Sequence, residues 1–291
     1  MLWAAGPVRA ASHDGDRSDT GQADPQGMED LAATSGLPLW LDRQHDDLVL
    51  AQPGETLKPA PQHLRSMRRV LLDPSATSPE IPYCAFPDVV LRTDEGVFNE
   101  LGVRHNLLLL RPGRVGPEFI KTRGHALLCA GGVRCPEAYA VLRGRALFLL
   151  QEHRQQPEEP AGRVRLADVR QIEALAGQKV VVPPTYGVVV INLGSEPLAL
   201  SNLMAAQAWP VHQVYDRMRG AAYYITERDG EMAAEPNRRY AEPLPPLRED
   251  APLRAPDLGV VEEEPLYSAF VHRPERFRWL LEGSSIVAGV R

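Results

Sequence analysis

The sequence predicts an all-β fold, either a sandwich or a barrel, and three observations support this prediction. Between residues 66 and 203, apolar or alternating runs of about four to eight residues recur, with Gly or Pro at their ends. The 27 prolines in 291 residues interrupt the chain too often for long helices. No internal repeat of about 20 to 50 residues is present, which argues against a solenoid or propeller. Many short, closely spaced strands are typical of two packed sheets or a closed barrel.

The N-terminal part divides into two segments before the first barrel strand. Residues 1–27 are rich in Gly, Ala, Ser, Asp and Gln, so we expect either a disordered tail or a start placed too early, with Met28 as the true start. Residues 28–65 form an N-terminal extension. Within it, the stretch from Leu37 to Leu50 has two short apolar pieces around a polar turn.

The barrel is predicted to occupy residues 66–236. Its strand segments, in chain order, are RRVLLD, DVVLRT, HNLLLLRPG, EFIKTRGHALL, EAYAVLRGRALFLLQ, QKVVVPPTYGVVVINLG and PLALSNLM. The segment YAVLRGRALFLL is predicted to be a β-hairpin with its turn near Arg143 and Gly144. The segment LADVRQIEALAG is predicted to be a helical turn or a loop, with Gly177 as the stop.

Residues 237–291 form a C-terminal region of different composition. The stretch AEPLPPLREDAPLRAPDLGVVEEEP is rich in Pro and charge, so it is predicted to be an extended arm without a core of its own. In HRPERFRWLLEG, Pro274 suits the first position of a helix and Gly283 suits the residue after its end. Phe277, Leu280 and Leu281 lie at helical spacing, and we expect this short helix to pack on the domain or on a second subunit.

Composition and charge exclude several classes of protein. A hydrophobic fraction of 44% and a charged fraction of 24% are ordinary for a globular protein. With a formal net charge of -6 and no basic stripe, nucleic acid is not an expected partner. No apolar run reaches membrane-spanning length, and Pro7 and Arg9 interrupt the apolar start, so neither a membrane nor a signal peptide is expected. Three cysteines without a CxxC pair predict no disulfide framework, no cysteine zinc site and a cytoplasmic location.

Two motifs in the strand region resemble the metal-binding motifs of the cupin superfamily. In KTRGHALLCAGGVRCPEAYAVLRG, a histidine follows a glycine, and a glutamate precedes another glycine with six residues between them; these are His125, Glu137 and Gly144. The second motif, a glycine, a proline and an asparagine, matches Gly177, Pro183 and Asn192. The resemblance implies a cupin barrel, in which two antiparallel sheets form a small jelly roll.

Within the cupins, the match narrows to the cupin-type glucose-6-phosphate isomerases. The segments that carry it are GRVGPEFIKTRGH, PEAYAVLRGRALFLLQ and VVVPPTYGVVVINLGSEPL, with SMRRVLLD and IPYCAF upstream, and they cover roughly residues 66–203. The resemblance implies a homodimer that interconverts glucose-6-phosphate and fructose-6-phosphate in glycolysis or gluconeogenesis. It also implies a divalent metal such as Fe, Mn, Zn or Ni.

The metal site that the resemblance implies is incomplete in this chain. The first histidine and the glutamate are present as His125 and Glu137, but the second histidine falls on Leu127 and the third on Val188. Divalent ions generally need at least three protein ligands, so the two replacements argue against the family's metal-dependent activity. On an uninterrupted strand Cys129 points the same way as His125, so it is either a thiolate ligand or a small buried hydrophobe.

Other positions of the motifs predict catalytic and substrate-binding residues. The resemblance assigns Thr122 and Gly124 to the substrate phosphate and keeps Tyr139 two residues after the glutamate, whereas Leu108 replaces a further threonine. Alternation would put Thr122 and His125 on opposite faces, so a bulge at Gly124 is predicted.

The charges of the KTRG segment leave two interpretations open. Lys121 and Arg123 either hold an anion or form an ordinary solvated strand end. His153 and His212 lie outside the motifs and are interpreted as surface or structural histidines.

Three functions are consistent with these residues. The first is an isomerase in which Glu137 is the base and His125 its polar partner or a residual ligand. The second is a repurposed cupin that binds or converts another small molecule without the usual metal, since Leu127, Val188 and Leu108 make the pocket more apolar. The third is a non-catalytic barrel whose C-terminal arm and helix contact a partner.

Overall fold

Two largely antiparallel sheets face each other and enclose the larger core in the computed structural model of this chain. The structure describes residues 27–53, 56–153, 162–252, 255–261 and 263–282. Residues 1–26 of the tail expected over residues 1–27, and the helix-ending role of Gly283, lie outside these ranges.

Nineteen strands and five α-helices are present in the described residues. In chain order the strands are β1 (Met28–Asp30), β2 (Leu39–Asp42), β3 (Asp47–Leu50), β4 (Ala60–Gln62), β5 (Tyr83–Phe86), β6 (Val103–Leu110), β7 (Arg114–Val115), β8 (Glu118–Phe119), β9 (Ala126–Leu128), β10 (Glu137–Arg143), β11 (Arg145–His153), β12 (Leu166–Leu175), β13 (Lys179–Val182), β14 (Tyr186–Asn192), β15 (Leu198–Ala205), β16 (Trp209–Val211), β17 (Tyr223–Arg228), β18 (Glu231–Pro236) and β19 (Leu247–Asp250). The helices are α1 (Ala32–Ser35), α2 (Leu64–Met67), α3 (Glu95–Leu101), α4 (Gln213–Met218) and α5 (Leu266–His272), with 3₁₀ turns at Arg68–Val70, Ala130–Gly132, Pro256–Leu258 and Pro274–Leu281.

The first barrel sheet has the order β13-β10-β15-β6-β5-β4. Strand alternation divides β6 between two environments: Leu108 and Leu110 contact the core between the sheets, whereas Leu107 and Leu109 belong to the core on the outer face. Asn106 shares the inner face with Leu108 and Leu110. A polar side chain is therefore placed inside the barrel by the strand period alone.

The second barrel sheet has the order β14-β11-β12-β19. The turn predicted near Gly144 is present, with a φ of 91°. The predicted hairpin is wrong, however, because β10 pairs with β13 and β15 while β11 pairs with β12 and β14. Gly144 is the corner at which the chain crosses from one sheet to the other.

Two further predictions are corrected by the second sheet. LADVRQIEALAG is neither a helical turn nor a loop, because β12 pairs along its length with β11. The arm after residue 237 is not without a core contact, because β19 pairs in parallel with β12 and places Leu247 against the inner core. Nearer the N-terminus, RRVLLD forms a 3₁₀ turn at Arg68–Val70, and DVVLRT contains no strand.

A second core covers the outer face of the first sheet. The predicted apolar pieces around a polar turn are the hairpin β2–β3, which brings Leu39 and Leu41 to this core. The C-terminal region brings α5 and the 3₁₀ turn that begins at Pro274, including the fully buried Phe277 and Leu280. The predicted packing of this segment on the domain is confirmed, although its geometry is 3₁₀ and α5 was not predicted. In the described part of the chain, no helix has the length and apolar character needed to cross a membrane.

Candidate active site

A bulged segment places His125 beside β14. Thr122 N donates to Val190 O at 2.8 Å, and His125 N donates to Val188 O at 3.0 Å. Three steps along this segment therefore match two steps along β14, which defines a bulge. Gly124 takes up the extra residue in the left-handed region, at a φ of 85°. The predicted bulge is confirmed, and its register places Thr122 and His125 on the same side of β14.

Glu137 begins β10 and lies within hydrogen-bond distance of His125. The strand pairs Glu137 with Val182 on one side and with Met204 on the other. His125 Nε2 lies 3.1 Å from Glu137 Oε1, and the two side chains are 17% and 3% exposed. The two charge-bearing side chains that sequence motifs singled out are therefore brought together in a nearly buried position.

Two asparagines hold the other side of the Glu137 carboxylate. Asn202 Nδ2 donates to Glu137 Oε2 at 3.0 Å, and Asn106 Nδ2 donates to Asn202 Oδ1 at 3.1 Å. Both carboxylate oxygens thus have a partner, which restricts the side chain to one orientation. Sequence reasoning missed this pair, although Asn202 interrupts an apolar run in LSNLM and Asn106 directly precedes one in HNLLLL.

Two tyrosines lie close to Glu137. Tyr139 is buried, and its pKa is raised well above its ordinary value by burial first and by the neighbouring Glu137 charge second. Tyr215, on α4, is also fully buried, and its hydroxyl has no hydrogen-bond partner among the described residues. Burial raises the pKa of Tyr215 as well, and Glu137 adds to the effect. An unpartnered hydroxyl of this kind is available to a bound molecule.

Arg134 contributes a positive charge to the same region. Its Nη1 donates to Thr185 O at 3.3 Å, and its charge acts on Tyr215 and on His153. Partial burial lowers the pKa of the Arg134 guanidinium, yet it remains protonated at neutral pH. His153 is buried, and its pKa falls to about 3 because of burial and the Arg134 charge. The structural interpretation of His153 agrees with this neutral, buried position.

The loop that carries Arg134 is closed by a disulfide bond between Cys129 and Cys135. The expectation of no disulfide is wrong for this pair, and Cys84 is the free cysteine. Since a disulfide sulfur is not a thiolate, the interpretation of Cys129 as a metal ligand is also wrong. Its alternative, a small buried side chain, fits its 4% exposure.

The two cations of the KTRG segment already have acidic partners. Lys121 Nζ forms a buried ion pair with Glu118 and donates to Val70 O at 2.9 Å. Arg123 binds Asp216 through two contacts, at 2.5 and 3.2 Å. A substrate anion would compete with Asp216 for Arg123, so the assignment of both cations to anion binding stays a prediction.

Thr122 and Gly124 are occupied by contacts to backbone and histidine groups. Thr122 Oγ1 accepts a hydrogen bond from Val190 N at 3.0 Å. The Gly124 carbonyl oxygen accepts one from His212 Nδ1 at 2.6 Å, and the His212 ring centre lies 6.3 Å from that of His125. His212 therefore borders the site, although it was interpreted as a surface or structural residue. The role of Thr122 and Gly124 in phosphate binding stays a prediction.

Comparison with protein families connects this geometry to known proteins. The family described as Glucose-6-phosphate isomerase (GPI) matches residues 74–242, which include both barrel sheets' central strands and the whole His125–Glu137 site. The chain belongs to the glucose-6-phosphate isomerase family. The predicted cupin-type relationship and the all-β barrel are confirmed.

Curated relatives in the family match part of the chain. The glucose-6-phosphate isomerase of Pyrococcus furiosus is 29% identical over 132 residues, and that of Pyrococcus abyssi is 30% identical over 132 residues. Each match covers 45% of this chain and 61% of the relative, so the chain spans less than two thirds of the length of these relatives.

Solved structures show weaker similarity. An oxalate decarboxylase of Lactobacillus farciminis has 14% identity and a TM-score of 0.31, with 54% of this chain and 34% of that chain covered. A recombinant oxalate oxidase has 16% identity and a TM-score of 0.29, with 45% and 54% covered. Superpositions at this level carry no argument about chemistry in this chain.

The residues present do not fit the metal site that the family resemblance implies. Among the described residues, no group of three or more His, Cys, Asp or Glu side chains is placed to hold an ion. Val188 lies opposite His125, and Leu127 packs with Cys129 in a small apolar cluster. His125 and Glu137 alone supply two ligands, one fewer than a stable site generally needs.

Proposed function

We propose that this chain interconverts glucose-6-phosphate and fructose-6-phosphate, with Glu137 as the catalytic base. The observation that carries the proposal is the 3.1 Å contact between His125 Nε2 and Glu137 Oε1 inside the barrel. Membership of the glucose-6-phosphate isomerase family and the names of the relatives support the substrate class.

The reaction requires a base that transfers one proton between neighbouring carbons. In the proposed mechanism, Glu137 removes the proton from C2 of the open-chain aldose and returns it to C1, while the hydroxyl proton moves from O2 to O1. Asn202 and His125 hold the carboxylate on opposite sides, so that it meets the substrate in one orientation. Tyr215 is in reach of the same region and supplies an uncommitted hydroxyl for hydrogen bonding to the sugar.

The intermediate carries negative charge on oxygen and needs a positive group nearby. A divalent cation could serve this purpose, but the ligand set of the described residues does not fit one, and we derive no step through a metal. Arg134 is the cation whose charge acts on the same tyrosine as Glu137. We assign the stabilisation of the enediolate oxygen to its guanidinium.

A coupled assay for fructose-6-phosphate isomerisation tests the proposal. Wild-type protein would be measured with no added metal and with added Mn, Fe or Zn. Replacing the base in Glu137→Gln should lower kcat by at least about 100-fold. The matched control is Glu173→Gln, which removes an exposed carboxylate paired with Arg145 and should leave kcat unchanged. Absence of turnover under every metal condition would overturn the proposal.

A second function is favoured by apolar residues at three motif positions. Leu127, Val188 and Leu108 stand at positions where the family resemblance implies polar side chains, and all three are buried or half-buried. A repurposed barrel that takes a less polar small molecule would use this surface. This function would replace the first if sugar phosphates neither bind nor react.

A further inference from the structure

A cleft lies between α4, the loop that follows β18 and the segment around Leu71. It has a volume of about 840 Å³, and none of its lining residues belongs to the His125–Glu137 site. A volume in this range accommodates a small organic molecule rather than a single ion.

The cleft is lined by positive charge in a chain that is acidic overall. Five arginines line it: Arg163, Arg217, Arg219, Arg238 and Arg239. The formal net charge of the chain is -6, so this concentration does not reflect its composition. Concave surfaces lined by one sign of charge concentrate ligands of the opposite sign.

Among the described lining residues, the acidic one, Glu235, is already engaged. Glu235 Oε1 lies 3.2 Å from Arg228 Nη2, and it also accepts a hydrogen bond from Thr226 Oγ1 at 3.2 Å. Neither Arg228 nor Thr226 lines the cleft. In the part of the chain that the structure describes, Arg163, Arg219, Arg238 and Arg239 form no ion pair, and all four are exposed. Their guanidinium groups are available to an anion.

The backbone beneath these arginines is fixed. Asn237 Nδ2 donates to the carbonyl oxygens of Met218 and Ala221, each at 2.9 Å, which joins the end of α4 to the end of β18. Tyr224, which also lines the cleft, donates its hydroxyl hydrogen to Arg219 O at 2.6 Å. The positions from which the arginines extend are therefore held in place before any ligand arrives.

We infer that this cleft binds a phosphorylated small molecule through its arginines. Planar guanidinium groups bind phosphate oxygens through pairs of parallel hydrogen bonds, and several around one concave surface suit a ligand with more than one phosphate. This site is separate from the proposed isomerase site and does not depend on it. The two are joined by α4, which carries Tyr215 toward the barrel and Arg217 toward the cleft. A ligand in the cleft thus contacts the helix that borders the active site.

Isothermal titration calorimetry with inorganic pyrophosphate tests the inference in about 0.15 M salt, where diffuse surface attraction is strongly screened. Wild-type protein should bind about one pyrophosphate per chain. The double variant Arg238→Gln/Arg239→Gln should bind it at least about tenfold more weakly. The matched control Arg65→Gln/Arg278→Gln removes two exposed arginines outside the cleft and should retain wild-type affinity.

Two further results would overturn the inference, besides a lack of binding by wild type. Equal weakening in both double variants would mean that pyrophosphate responds to overall charge alone. Loss of binding in His125→Ala, with the cleft intact, would place the pyrophosphate in the barrel. Because the readout is heat of binding, inactivity as an isomerase would not affect the result.

Discussion

His125 and Val188 are directly paired across neighbouring strands, and each backbone N–H donates to the other residue's carbonyl oxygen, at 3.0 and 2.8 Å. The family resemblance places a metal-binding histidine at the position of Val188. The position of the missing ligand therefore adjoins the histidine that remains. The position of Val188 therefore lacks the imidazole side chain, whereas its backbone already pairs with that of His125.

Restoring both missing histidines should create a metal site. We expect the double variant Leu127→His/Val188→His to bind about one Co²⁺ per chain, because four ligands would then converge on the Glu137 end of the barrel. The visible absorption of bound cobalt would report the number and geometry of ligands. Wild type, with two ligands, should show no such band.

The single variants Leu127→His and Val188→His are the controls for this experiment. Each has one ligand fewer than the double variant and should bind cobalt more weakly. An imidazole is larger than the side chain of the buried Val188, so a histidine at this position requires its neighbours to adjust. Folding of each variant should therefore be verified by circular dichroism. A folded double variant that takes up no cobalt would contradict the ligand positions assigned here.

Arg134 should affect turnover more than substrate binding. If its guanidinium stabilises the enediolate, Arg134→Gln should lower kcat by about 100-fold with a smaller change in KM. Arg134→Lys keeps the charge and should recover part of kcat. Equal kinetics in wild type and Arg134→Gln, measured in the coupled assay, would assign Arg134 a structural role alone.

The Cys129–Cys135 bond should stabilise the loop that holds Arg134. It closes a loop with a sequence separation of 6, for which loop entropy predicts a loss of about 2 kcal/mol in the free energy of unfolding when the bond is removed. Denaturant unfolding of Cys129→Ser/Cys135→Ser would measure this loss. Cys84→Ser is the control, and addition of reductant should destabilise wild type but leave the double variant unaffected.

His105 should make the protein less stable in mild acid. It is fully buried, Nδ1 donates to Val89 O at 2.7 Å, and burial lowers the pKa of His105 from 6.5 to about 4. Below pH 6.5 the unfolded chain takes up a proton that the folded chain does not, so stability falls as the pH falls toward 4. Between pH 6.5 and about 5, this one residue should cost about 2 kcal/mol.

Comparison of wild type with His105→Gln isolates this contribution. The variant can still donate to Val89 O, and its unfolding free energy should lack the acid-dependent loss that His105 causes. An identical pH dependence in wild type and His105→Gln would contradict the assignment.

Substitutions at two glycines in the left-handed region distinguish the cost of steric crowding from the cost of backbone strain. At Gly102 a Cβ would meet open space, so Gly102→Ala should cost about 1 kcal/mol through conformation alone. At Gly124 the added Cβ would lie 2.7 Å from the Tyr215 ring and 2.8 Å from Val189, so Gly124→Ala should cost about 2–4 kcal/mol. Urea unfolding would measure both, and equal costs would show that the Tyr215 ring moves aside freely.

The sequence predicts the local backbone conformation where a single residue determines it. Strand alternation predicts the bulge at Gly124, the strand pattern predicts the turn near Gly144, and both glycines have a positive φ in the structure. The pairing partners were not predictable in the same way. The turn at Gly144 looks like that of a hairpin, but whether the next strand returns beside β10 or crosses to the facing sheet depends on contacts far away in the sequence.

The composition of β12 shows why local preference fails inside a sheet. LADVRQIEALAG contains residues with good helix propensity, yet pairing with β11 and burial of Val169 and Ala174 determine its conformation. The motifs identify two residues of the candidate site, His125 and Glu137, which the structure brings into contact. Its other members, such as Asn202, come from remote strands and are brought together by the register of the sheet.

The outer core closes only when distant parts of the chain meet. Leu39 and Leu41 come from the N-terminal hairpin, whereas Phe270, Phe277 and Leu280 come from the C-terminal region. On the ribosome, a nascent chain that has reached β15 contains every strand of this sheet and the N-terminal hairpin, but it lacks the C-terminal residues that complete the cover of the outer face. The outer core therefore closes only after synthesis has passed Leu280, and shorter nascent chains would present part of an apolar sheet face to molecular chaperones.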